Sequence, residues 1–157
     1  MLVDIVLPAS MPYLLAGFRL AAGRFLQSRP DVARYLYWDA RTEDEFRVSR
    51  LKGAVRIDPY RPSLRALQGF RKDTSVLVYS SAGYRGARVA SWLGRGGYTK
   101  VHNLSGGIFV WVNEGRPIFR GETPTGQVHP YDQKWGLLVD GKYRAEAPDL
   151  EKHSAAP

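Results

Sequence analysis

A chain of 157 residues with 44% hydrophobic residues and four Trp can bury one sizeable core and does not have the composition of a disordered chain. It contains no Cys, which excludes disulfides, thiolate metal sites and a cysteine nucleophile. A net charge of +8 favours anionic partners such as small oxyanions, nucleic acid or an acidic membrane surface. The Lys and Arg residues are scattered, and no RNA- or DNA-reading motif is present, so nucleic acid is not an expected partner.

The expected elements alternate between strand and helix. Residues 3–7 read as a strand. Residues 12–27 read as a helix, with Ser10 as its cap and an apolar stripe at 14, 15, 18, 22, 25 and 26. That basic amphipathic stripe also suits a membrane surface, but packing against the sheet is the favoured expectation. Residues 35–38 form a strand of mostly aromatic residues. Thr42 caps a short helix whose first turn carries Glu43, Asp44 and Glu45, where carboxylates complement the helix dipole. Residues 54–57 form a strand ended by Pro59 and Pro62, and residues 63–70 a helix. Residues 75–79 form a central strand, 85–93 a helix, 100–103 a last strand, and 108–114 a helix closed by Gly115 and Pro117. Residues 121–125 read as a linker, and residues 135–143 as a hairpin turning at Asp140-Gly141. The tail from 146 on is expected to be disordered. No internal repeat is evident. Such alternation implies a mostly parallel sheet of about five strands with helices on both faces, whose ligands bind beyond the carboxyl ends of the strands.

One such end carries the candidate site. Ser80-Ser81-Ala82-Gly83-Tyr84-Arg85 joins the apolar run Val76-Leu77-Val78-Tyr79 to a helix start. Small residues there let several N–H groups converge, and the helix N-terminus adds its positive end, so the loop is expected to hold an anion. Gly83 supplies a backbone conformation other residues resist. Arg85 is expected to close the loop as a forked clamp, and Tyr84 to shape access to it.

The stretch Tyr79-Ser80-Ser81-Ala82-Gly83-Tyr84-Arg85-Gly86-Ala87-Arg88 resembles the active-site loop of the rhodanese family of sulfurtransferases. Three further stretches resemble that family in the required order. They are Trp38-Asp39-Ala40-Arg41-Thr42-Glu43-Asp44-Glu45-Phe46, then Leu51-Lys52-Gly53-Ala54-Val55-Arg56-Ile57, then Gly96-Gly97-Tyr98 with Val101-His102-Asn103-Leu104 and Gly106-Gly107 to Trp111. The resemblance implies a rhodanese-like α/β domain over residues 1–119, with a C-terminal extension over 120–145. It implies thiosulfate-type chemistry without a cofactor. The partner would be a small sulfur-containing oxyanion or a thiophile acceptor, and the six-residue loop is one shorter than that of the related phosphatases. It also places Arg41 near the loop rim, either supporting the anion or paired to Asp39 or Glu45. Trp111 is expected to anchor the closing helix.

Ser80 stands where the resemblance places the catalytic cysteine. A hydroxyl is a weak nucleophile without a base, and a persulfide needs sulfur. His102, His129 and His153 show no triad spacing, and no His/Asp/Glu group has metal-ligand spacing, so no metal is expected. Two readings stay open. The chain is a sulfurtransferase whose nucleophile has been replaced, or it is a naturally non-catalytic module that binds an anion or a protein. Without a signal sequence or membrane span, a cytoplasmic location is expected.

Overall fold

The computed structural model describes residues 35–146. The strand expected over 3–7, the helix over 12–27 and the tail from 147 on lie outside them. The sheet rests on a central strand, β3 (Val76–Tyr79), all four residues of which are buried. It pairs in parallel with β1 (Leu36–Asp39) on one side and β4 (Val101–Asn103) on the other, and β2 (Val55–Arg56) adds to β1, giving the order β2-β1-β3-β4. Among the described residues the main sheet therefore has four strands, where about five were expected.

Alternation along β3 divides the core between two faces, as the two-residue period of a strand requires. Leu77 and Tyr79 pack with Ile108, Phe109 and Val112 of helix α3 (Gly107–Asn113), whereas Val76 and Val78 pack with Val89, Ala90 and Leu93 of helix α2 (Tyr84–Arg95). Helices thus cover both faces of a parallel sheet, the arrangement expected from the alternating pattern. Helix α1 (Glu43–Val48) starts at Thr42 in a full capping box with Glu45. Ser63 caps only one 3-10 turn, Leu64–Leu67, in place of the expected longer helix. Among the described residues no helix is long and apolar enough to cross a membrane.

Two expectations after Pro117 are corrected. The supposed linker is an antiparallel hairpin, β5 (Ile118–Arg120) with β6 (Thr123–Thr125), fastened to the body by reciprocal backbone bonds of 2.8 Å between Arg50 and Phe119. Its strand content is set by burial of Ile118 rather than by local pattern. The hairpin expected over 135–143 is not formed. Asp132 accepts a bond from Trp135 N (2.7 Å) and starts a one-turn helix, α4 (Gln133–Gly136). Asp140-Gly141 turns as a 3-10 segment, Gly141–Tyr143, because Asp140 N is held by Asn113 Oδ1 at 2.9 Å. Val128 and Val139 are buried in the same cluster as Leu77 and Tyr79, so residues beyond 120 complete the core.

Candidate functional site

The loop following β3 is shaped from three sides. Ser80 O accepts from Ile108 N (2.9 Å) and Ser81 O from Phe109 N (3.1 Å), so the first turn of α3 draws two loop carbonyls toward itself. From the other two sides, Gly83 O accepts from Asn103 Nδ2 at the end of β4 (3.1 Å) and from Ala87 N of α2 (2.9 Å). In a trans peptide the carbonyl and the following N–H point in opposite directions. Pulling these carbonyls outward therefore turns the amides of Ser81, Ala82 and Tyr84 the other way. Gly83 precedes α2 at φ 102 without a side-chain cap, and the first-turn N–H groups of α2 have no acceptor within the helix. Ser80 is buried to 1% exposure, and its Oγ turns back onto the loop to accept a bond from Gly83 N at 3.1 Å.

Arg85 is brought to the loop but is not presented as a free clamp. Its Nη1 and Nη2 donate to Glu45 Oε2 and Oε1, each at 2.7 Å, and Nη2 also donates to Ser81 Oγ at 2.8 Å. The expectation of a fork aimed at an external anion is thus corrected: the guanidinium is held by an internal carboxylate. Glu45 also accepts from the Ser81 hydroxyl, Thr42 N and Thr42 Oγ1, which ties the start of α1 to the loop.

Arg41 is fully buried and takes the structural alternative. Its Nε donates to Asp39 Oδ1 (2.8 Å) and its Nη2 to Asp39 Oδ2 (2.6 Å) and Ser49 O (2.5 Å). Tyr79 OH donates to Asp39 Oδ2 (2.6 Å) and accepts from Leu51 N (3.1 Å). Burial and the Asp39 charge push the Tyr79 phenol well up, keeping it protonated as a donor. This network underpins the strand that delivers Ser80 and engages Arg41 at Asp39 and Ser49. Tyr84 is 64% exposed at the mouth of the loop. Trp111 donates from Nε1 to Pro117 O (2.9 Å), the anchoring role expected of it. His102 meets Tyr35 edge-on, and His129 lies half-buried beside the Glu45–Arg85 pair.

Residues 25–114 match the rhodanese-like domain family. The chain belongs to that family. A tRNA uridine(34) hydroxylase of Bacillus cereus (strain Q1) is 30% identical over 109 residues, covering 66% of this chain and 34% of that protein. The chain thus spans about a third of the length of the curated relatives it matches. A rhodanese-like domain from Anabaena has the same fold at a TM-score of 0.53 and 20% identity, over 65% of this chain and 75% of that one. A rhodanese-related protein from Thermoplasma volcanium aligns at a TM-score of 0.51 and 23% identity, over 60% and 91% respectively.

In this rhodanese-like domain, sequence reasoning found the loop but missed Glu45 and Asn103 as the groups that hold it. Glu45 was visible only as a first-turn acid and as a candidate partner of Arg41, and Asn103 only as a strand end. Neither local role reveals a contact across 40 or 20 residues of chain.

Acid should reveal the pairing. Burial opposes ionisation of Glu45, but the Arg85 hydrogen bonds and the Arg41 and Arg85 charges outweigh it, taking its pKa from 4.5 down to about 2. The carboxylate is more acidic in the folded state, so its contribution is full above about 4.5 and is lost as pH falls toward 2. It amounts to about 3 kcal/mol. Desolvation lowers the His129 pKa, so the unfolded chain takes up that proton first and stability begins to decline below about 6.5. Urea unfolding at pH 7, 5 and 3 should show this monotonic fall, and Glu45→Gln should flatten it below pH 5.

Proposed function

We propose that the loop from Ser80 to Arg85 is an anion cradle of sulfurtransferase type that, with Ser80 in place, binds a small sulfur-containing oxyanion without transferring sulfur. The observation that supports this reading is the buried position-80 side chain turned onto the loop backbone, with Gly83 N donating to Ser80 Oγ at 3.1 Å. The cradle consists of backbone N–H groups of Ser81, Ala82, Gly83, Tyr84 and Arg85. Arg85 and Arg41 act at one remove, Arg85 through Glu45 and Ser81, Arg41 through Asp39. The cradle's geometry does not depend on whether oxygen or sulfur occupies position 80, since serine and cysteine are nearly the same size.

The chemistry does depend on it. A thiolate at position 80 would attack the sulfane sulfur of thiosulfate, the S–S bond would break, and sulfite would leave with the electron pair. Cyanide would then take the sulfur as thiocyanate and restore the thiolate. A serine hydroxyl without a base performs neither step. The protein as it stands should therefore form no thiocyanate above the uncatalysed blank. Ser80→Cys should create a thiol whose pKa is depressed by the amides and which supports turnover. Thiocyanate production by the serine form, or an ordinary thiol pKa of about 8.5 in the cysteine variant, would sink this reading.

The curated relatives are named tRNA uridine(34) hydroxylases, which supports a second reading, in which the domain acts with tRNA, and the +8 charge suits it. Binding of unmodified tRNA with a steep salt dependence near physiological ionic strength would support it. Thiosulfate binding indifferent to tRNA, with no tRNA affinity at that salt, would leave the cradle reading alone.

A further inference from the structure

Beyond residue 114, where the family match ends, the chain returns to the site. Val128 is buried and exchanges backbone bonds with Tyr143 (2.8 Å) and Ala145 (2.9 Å), which anchors one end of the returning segment. The other end is fixed by α4. There Asp132 caps Trp135, and Gly136 packs so closely on Pro130 that an added Cβ would lie 2.8 Å from the proline Cβ. Between the anchors, Tyr131 lays its ring over the Arg85 guanidinium, 4.7 Å from ring centre to Cζ. Tyr131 remains 40% exposed and is the sole non-glycine residue of positive φ (69) among the described residues. Its amide donates to His129 Nδ1 at 2.9 Å, which stitches the segment to itself and not to the sheet. Between its anchors the segment meets the loop through the Tyr131 ring on the Arg85 guanidinium.

We propose that the Tyr131 ring, carried between these two anchors and latched on Arg85, is a retractable cover that sets the size of molecule that reaches position 80. Compact anions and small thiophiles pass, and bulky acceptors are admitted only when the ring lifts. The proposal rests on the cradle reading, in that position 80 is the guarded atom. Tyr131 acts through access and belongs to no covalent step. A latch of one cation–π contact on a strained residue is weak enough to open thermally and strong enough to bias the closed form.

The test uses the full chain with Ser80→Cys, alkylated with iodoacetamide or with a bulky dye-linked maleimide. Tyr131→Gly removes the ring while accepting the positive φ, so it should fold, and Tyr131→Phe keeps the ring. Adding Tyr131→Gly should speed the bulky reagent about tenfold and leave iodoacetamide within about twofold. Tyr131→Phe should match the parent. Equal acceleration of both reagents, or of neither, overturns the cover. An ordinary thiol pKa sinks the cradle instead, while the ratio of the two rates still decides the cover.

Discussion

Glu45→Ala is expected to destabilise the protein by about 3–5 kcal/mol, enough to unfold a large fraction of a domain of ordinary stability. The substitution removes the acceptor of both Arg85 bonds at 2.7 Å and leaves the guanidinium buried at 8% exposure without its counter-charge. It also removes the reciprocal half of the Thr42 capping box, worth about a further 1 kcal/mol at the start of α1. Ser81 Oγ loses its carboxylate partner in the same step, so the loop should loosen before the sheet does. Chemical denaturation measures the loss, and hydrogen exchange at residues 81–86 measures the loosening. The control is a double variant, Glu45→Leu with Arg85→Met. It replaces the pair by apolar groups of similar volume and should recover much of the stability, because the greater part of the penalty is an uncompensated charge and not a lost attraction. If Glu45→Ala alone costs under about 1 kcal/mol, the pair behaves like a surface ion pair and does not organise the loop.

Gly107→Ala is expected to be at least as damaging, for a steric reason. Gly107 holds φ 57, and a Cβ there would collide with Ser80 O and lie 2.5 Å from Ser81 O and 2.8 Å from Ser81 C. These obstacles are backbone atoms of the loop itself, so no side-chain rotation relieves them. Either the first turn of α3 retreats, breaking the bonds from Ile108 N and Phe109 N, or the loop carbonyls swing inward and turn the cradle amides away. A cost of about 3 kcal/mol or more is expected, together with loss of the depressed thiol pKa when combined with Ser80→Cys. Alanine at Gly121 offers the comparison. It has a similar φ of 60 but nothing within 4 Å of an added Cβ, so only the conformational cost of about 1 kcal/mol should appear there. Equal costs at the two positions would remove the argument for close approach of α3 to the loop.

These residues mark how far local signals reach. The buried run Val76-Leu77-Val78-Tyr79, the Thr42 capping box, the helix after Tyr84 and the strand before Asn103 are all local signals, and the structure realises each of them within a residue or two. Their alternation implies the parallel sheet with helices on both faces, since parallel strands need crossovers. The requirement for glycine at position 83 is local as well, because it follows from a tight turn into a helix. Contacts between partners far apart in sequence depend instead on how the chain packs. Arg85 carries the same charge whether it faces a ligand or Glu45, and nothing near position 85 states that residue 45 arrives there. Arg41 likewise turned to Asp39 and Ser49 because both lie within its reach in a dry interior, where an unpaired guanidinium would be costly. The C-terminal stretch departs from its expected strands for the same reason. Asp140-Gly141 does turn, but Asn113, the cap at Asp132 and the seat of Gly136 on Pro130 choose a helix and a 3-10 turn over strands. Local propensity spans a few tenths of a kcal/mol per residue, and burial and long-range hydrogen bonds of about 1 kcal/mol or more each override it.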